Sequence, residues 1–130
     1  MQIKAAAVGL LAASLLAGCG DSGPPRYHLA GKVTFRGKPI PAGIIYFDPD
    51  LAGGHDGPQG FASIKDGAFD TRSGGQGHAG GKCVVRIFGT DGIPAPEANM
   101  GKNLFSEYAL NVELPTQDST KDFVVPPRGR

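Results

Sequence analysis

From Tyr27 onward the chain alternates apolar and polar positions with a period of two. Tyr27, Leu29, Gly31, Val33 and Phe35 fall on one face, and His28, Ala30, Lys32 and Thr34 on the other, the pattern of a half-buried strand. "RGKPIPAG" then supplies turn chemistry through Gly37, Pro39, Pro41 and Gly43. "IIYFD" predicts a second strand with Ile45 and Phe47 on one face, Ile44 and Tyr46 on the other. "FASIKDGAFDT" reads as two short strands around Lys65-Asp66-Gly67, where glycine takes a left-handed backbone, and Ala62, Ile64 and Phe69 are expected to point inward. In "KCVVRIF", Cys83, Val85 and Ile87 oppose Val84, Arg86 and Phe88. In "ALNVEL", Leu110, Val112 and Leu114 oppose Asn111 and Glu113, and "KDFVV" closes the pattern with Phe123 and Val125.

Seven short strands, each apolar on one face and punctuated by Gly and Pro, predict an all-β domain over residues 27–125 with no helix. Each apolar face has to be buried against another, so the expected architecture is a seven-stranded antiparallel β-sandwich. A chain of 130 residues has room for one such core. Tryptophan is absent and the two cysteines lack immunoglobulin spacing, which disfavours that particular sandwich.

The N-terminal segment follows different rules. After Lys4, "AAAVGLLAASLLAG" runs for 14 residues without a charge and ends in small residues, the layout of an export signal over residues 1–18. It is short for a membrane span, and it lacks the polar-face periodicity of a surface helix. Leu16, Ala17, Gly18 and Cys19 resemble the lipobox of bacterial lipoproteins, in which the cysteine thiol is joined to diacylglycerol and becomes the new N-terminus. Small residues at Ala17 and Gly18 admit the peptidase, and Cys19 supplies the sulfur. Several acyl chains at roughly 0.8 kcal/mol per buried methylene hold a membrane firmly, where one chain holds only marginally. An ordinary secretory signal with Cys19 as a bystander is the competing reading.

Residues 19–26, the lipidated cysteine and "GDSGPPR", have the composition of a flexible tether, and residues 126–130 form a short C-terminal tail. Removing residues 1–18 removes Lys4 and no acid, leaving 12 basic and 12 acidic side chains. This balance offers no basic stripe for nucleic acid or anionic headgroups. With Cys19 lipidated, Cys83 has no partner for an intramolecular disulfide. Gly20, not aspartate, follows Cys19, which is compatible with delivery to an outer membrane where that residue is read; the periplasmic side of the envelope is the alternative location.

Three stretches, "LAGKVTFRGKPIPAGIIYFDPD", "SIKDGAFDTRSGGQGHAGGKCVVRI" and "TKDFVVP", resemble the carboxypeptidase regulatory-like family, whose fold is a transthyretin-like (prealbumin-like) seven-stranded sandwich. The resemblance covers Tyr27 to Val125 and is nearest to the small bacterial lipoprotein members, in which a lipobox precedes a lone domain. It implies a non-catalytic scaffold in contact with other envelope components, with no defined ligand or cofactor. The related hydrolases of 5-hydroxyisourate carry a C-terminal Tyr-Arg-Gly-Ser signature. This chain ends "PPRGR", with Pro127 and Arg130 where that signature has its hydroxyls.

"GQGHAG" (75–80) matches G-x-G-x-x-G, but a β-patterned segment follows where the dinucleotide fingerprint needs a helix, and "QGHAGGKC" fails as a P-loop on the same ground. Asp48, Asp50 and Asp56 sit near calcium-loop spacing, but Ala52 and Gln59 occupy ligand positions and Pro49 stiffens the start. A shallow cation site and solvated loop acids both remain readings of that segment. His28, on the polar face of the first strand, is expected to meet water, whereas His55 and His78 converge only if their loops share one end of the body. Cys83, in phase with Val85 and Ile87, is expected to be a buried, inert thiol.

Tyr46 and Phe88 fall on the outward phase of their strands. They either form a stacking platform for a carbohydrate or peptide or lie covered by a loop through Leu104 and Phe105. The 89–108 segment is either a binding surface or a passive excursion. Candidate partners are therefore the membrane, through the anchor, and an envelope protein or glycan.

Overall fold

The computed structural model describes residues 23–127. The signal segment 1–18 with Leu16, Ala17 and Gly18, the lipidation position Cys19, the first part of the tether and residues 128–130 lie outside the described residues.

The strands in chain order are β1 (Leu29–Phe35), β2 (Lys38–Pro39), β3 (Ala42–Pro49), β4 (Gly60–Lys65), β5 (Ala68–Asp70), β6 (Gly75–Gln76), β7 (Gly81–Thr90), β8 (Tyr108–Leu114), β9 (Ser119–Thr120) and β10 (Phe123–Val125). The seven longer ones form a continuous path, β10-β1-β5-β4-β3-β7-β8, and they are the seven that the alternation predicts. The two-residue strands β2, β6 and β9 are too short to leave a periodic signature. Two single turns add helix where none was expected. A 3₁₀ turn spans Leu51–Gly53, capped by Asp50, and a helical turn, α1 (Thr71–Gly74), is capped by the Asp70 carboxylate accepting from Arg72 N at 2.9 Å. Asp at a helix N-cap satisfies a backbone donor that the turn leaves free.

Tight hairpins make the sheet's corners. Arg36 and Gly37 (φ 53° and 74°) join β1 to β2, and Asp66 and Gly67 (φ 51° and 76°) join β4 to β5. Two successive left-handed residues give the backbone twist that a two-residue hairpin requires.

The sheet curls on itself. β3 and β10 stand four strands apart along the path, which on a flat sheet is roughly 19 Å at about 4.8 Å per strand. The Phe47 ring on β3 and the Phe123 ring on β10 nevertheless lie 6.4 Å apart, with Phe69 touching both. Their contact closes the core. It contains Leu29 and Val33, Ile45 and Phe47, Ala62 and Ile64, Phe69, Cys83, Val85 and Ile87, Leu114, Phe123 and Val125, all buried and all on the inward phase. Ile40, fully buried between Pro39 and Pro41, joins this core from a stretch that reads as turn.

The antiparallel expectation needs one correction: β1 pairs in parallel with both β9 and β10. The chain leaves β8 at one edge and returns beside β1 at the other, and a return in that direction runs parallel to it. Gly31 marks the crossing. A Cβ there would sit 1.9 Å from the Lys121 carbonyl oxygen, so only glycine lets the returning backbone pass. On either side, Lys121 N donates to Ala30 O and Lys32 N donates to the Asp122 carboxylate, both at 2.9 Å.

Candidate functional site

The side of the sheet facing away from the core is built by register. Tyr46 on β3 stands directly opposite Phe61 on β4 and Arg86 on β7, and Ile44 stands opposite Phe88. Because side chains alternate across a strand, the inward phase of Ile45, Phe47, Ala62, Val85 and Ile87 forces all five of these outward. Tyr46 meets Phe88 edge-on at 5.8 Å and Phe61 at 6.4 Å between ring centroids. All three rings are partly exposed.

Arg86 sits among these rings. Its guanidinium carbon is 4.7 Å from the centroid of Tyr46 and 5.9 Å from that of Phe88, a cation–π arrangement. Arg86 Nε donates to Asp48 Oδ2 at 2.5 Å, and a second nitrogen lies 3.5 Å from Glu107. The hydrogen bond to Asp48 holds the guanidinium pKa above its ordinary value, against the opposing effect of burial. Gln59 Nε2 donates to the other oxygen of Asp48 at 2.6 Å, and Arg26 from the chain's entry donates to the Gln59 carbonyl at 3.0 Å. Ile44, Tyr46, Gln59, Arg86 and Phe88 line an open, shallow cavity of about 420 Å³.

Of the two platform residues singled out in the sequence, Tyr46 and Phe88, both lie in this cavity. The proposed cover does not reach them. Phe105 packs on Phe35 at 4.8 Å and against Gly89, and Leu104 lines a separate groove with Phe35 and Pro41. Gln59, Phe61 and Glu107 complete this group and are not among the residues that the sequence pattern singles out. Phe61 was legible from its phase, one residue before inward-facing Ala62, whereas Gln59 and Glu107 lie in loops and carry no periodic signal.

The other candidates are dispersed. Asp48 is engaged by Arg86 and Gln59, and Asp50 caps the 3₁₀ turn through Gly53 N at 3.1 Å. Among the described residues no group of three or more His, Cys, Asp or Glu side chains is placed to hold a metal ion. His28 is half-buried, not in open water, because its Nδ1 lies 3.0 Å from Thr71 Oγ1, whose hydroxyl also accepts from Leu29 N. The loops carrying His55 and His78 do share one end of the body: Gly60 abuts the His78 backbone, and Gly57 abuts Ala79. The His78 ring turns inward, however, 5.9 Å from Tyr27 and 6.1 Å from Phe47. Its Nδ1 accepts from Gly80 N at 2.9 Å, which leaves the proton on Nε2, buried and without a partner. Burial lowers the His78 pKa, with Asp118 opposing and His28 adding to the shift.

Cys83 is a buried free thiol whose pKa burial pushes up to about 12, assisted by Asp48 and Asp50. The "GQGHAG" segment forms β6 against β4 and then a bridge from His78 to Tyr27 before strand β7 begins. The 89–108 segment is internally bonded. Thr90 Oγ1 donates to Met100 O at 2.6 Å, Asp91 Oδ1 accepts from Ile93 N and Lys102 N, and Ala95 and Ala98 form a bridge. That accounting is the opposite of a structureless excursion.

Comparison with family models and with curated proteins finds no match to this chain. Among the described residues, no helix is long and apolar enough to cross a membrane.

Proposed function

We propose that this chain is an exported, lipid-anchored, non-catalytic component of a bacterial cell envelope, its body a transthyretin-like β-sandwich of the carboxypeptidase regulatory-like kind. The observation that carries this reading is the placement of Leu16-Ala17-Gly18-Cys19 at the end of an uncharged apolar run, directly before a Gly/Ser/Pro tether and an all-β body. The curl that brings Phe47 against Phe123 favours a sandwich. The non-catalytic part is favoured by a thiol held protonated in the core and by a histidine turned inward beside the aromatic rings.

Mass spectrometry of the N-terminal peptide tests the anchor: a diacylglyceryl-modified Cys19 supports it, and an unmodified Cys19 or cleavage elsewhere overturns it. In the same cells, Cys19→Ser is expected to move the protein from the membrane to the soluble fraction.

A second reading, that the body is a binding module, is favoured by the uncovered row Phe61-Tyr46-Arg86 with Phe88 beside it. The two readings are compatible, since an anchored domain presents its sheet face to whatever lies next to the membrane.

A further inference from the structure

The outer face of β3, β4 and β7 combines two features that a structural surface does not need together. Three aromatic rings stand partly exposed on it, and Ile44 adds an apolar floor. A polar cluster, Gln59, Asp48, Arg86 and Glu107, borders those rings and is held in place by its own hydrogen bonds. Exposed rings accept the apolar C–H face of a pyranose by stacking. Sugar hydroxyls both donate and accept, so they need fixed carboxylate acceptors beside fixed amide and guanidinium donors. Arg86 stacks on Tyr46 and is bonded in turn by Asp48, so this arrangement exists before any ligand arrives. Preorganisation of that kind lowers the ordering cost of binding. The cavity's volume of about 420 Å³ falls within the ~300–1,000 Å³ range of small-ligand sites.

Charge narrows the ligand further. Asp48 and Glu107 contribute two negative charges against the positive charges of Arg86 and of Arg26, which bonds the Gln59 carbonyl, so the rim is balanced. A charged sugar meets no excess of opposite charge to repay its desolvation, while a neutral sugar has no charge to desolvate.

We propose that this face is a glycan-binding site for neutral sugars, with Phe88 stacking a pyranose ring and Asp48, Gln59 and Arg86 bonding its hydroxyls. The proposal rests on the binding-module reading and is independent of the lipid anchor.

The test uses the protein as isolated from cells, in detergent. Calorimetric titration is run with chitotetraose (neutral), its deacetylated glucosamine tetramer (cationic) and tetragalacturonate (anionic), alongside a wider array of neutral oligosaccharides. Binding of neutral oligosaccharides, weakened at least tenfold by Phe88→Ala and by Asp48→Asn, supports the site; tetragalacturonate and the glucosamine tetramer are expected to bind at least tenfold more weakly than the best of these. Phe88→Leu keeps the apolar bulk and removes the ring, so it serves if the alanine variant fails to fold. Silence across every neutral sugar with the protein folded, a preference for either charged tetramer, or binding unchanged by both Phe88 variants overturns the proposal. So does a peptide that binds this face when no sugar does. A silent array with a lipidated Cys19 leaves the anchor standing, and sugar binding with an unmodified Cys19 leaves the site standing.

Discussion

Arg86 and Tyr46 are direct cross-strand partners on β7 and β3, and the guanidinium carbon lies 4.7 Å from the ring centroid. The stack depends on a planar cation. Lysine at position 86 keeps the charge but loses both the planar stack and the directed hydrogen bond to Asp48. We expect Arg86→Lys to lower stability by about 0.5–1 kcal/mol, read as a lower urea midpoint at unchanged slope. An unchanged midpoint would mean that the stack contributes nothing.

Gly31 is the point where the returning chain passes β1, 1.9 Å from where a Cβ would sit. Gly31→Ala forces the Lys121 backbone away and opens the parallel pairing with β9 and β10, at an expected cost of about 2–3 kcal/mol or more, as for other disruptive backbone substitutions. Gly37→Ala is the control. Its φ of +74° is strained for alanine, but nothing crowds the added methyl, so about 1 kcal/mol is expected. Chemical denaturation of both variants is expected to place Gly31→Ala well below Gly37→Ala.

Burial holds the pKa of His78 below its ordinary 6.5. The unfolded chain therefore takes up a proton as pH falls through 6.5, while the folded chain resists, and stability declines in that window. Hydrogen bonding from the His28 backbone lowers the Asp118 pKa from 3.8, so its contribution is lost only in more acidic solution. Urea midpoints taken from pH 7.5 down to about 4.5 are expected to fall for the native chain. For His78→Gln the decline is expected to flatten, whatever the variant's overall stability.

Cys83, with its thiol pushed up to about 12 and its side chain buried, exposes almost no thiolate at neutral pH. In the Cys19→Ser variant, where Cys83 is the only thiol, an aromatic disulfide reagent is expected to react at the rate of unfolding in buffer and at once in denaturing urea. Prompt stoichiometric reaction in buffer would place Cys83 outside the core.

Asp91 ties the base of the 89–108 segment by accepting from Ile93 N and Lys102 N at 2.9 and 3.1 Å. Asp91→Ala removes both bonds and leaves the strand ladders intact. Amide exchange at Ile93 and Lys102 is expected to accelerate about tenfold or more, corresponding to a loss of ~1.4 kcal/mol or more of local protection, with the β3–β7 amides unchanged. Uniform acceleration across the sheet would instead tie the loop to global stability.

Most of the strands were legible because their inward residues keep phase over three or more positions: Ile45 with Phe47, Ala62 with Ile64, Cys83 with Val85 and Ile87. β2, β6 and β9 were not, since two residues cannot show a period. Ile40 was illegible for a related reason: a single core residue between two prolines looks like turn. At the candidate site, the outward phase exposed Tyr46 and Phe88 to sequence reading, but Gln59 and Glu107 reach Asp48 and Arg86 from loops whose paths no local pattern encodes.

The sequence by itself determined which face of each strand is apolar, where the hairpins turn, and that Cys83 is buried, because side-chain alternation and left-handed glycines act over a few residues. Only the tertiary structure decided that the last strands run parallel to β1, that His78 turns inward, and that Asp48 joins Arg86 and Gln59. Those outcomes depend on which distant backbones the curled sheet brings together, and they are set by closing one shared core around Phe47, Phe69 and Phe123.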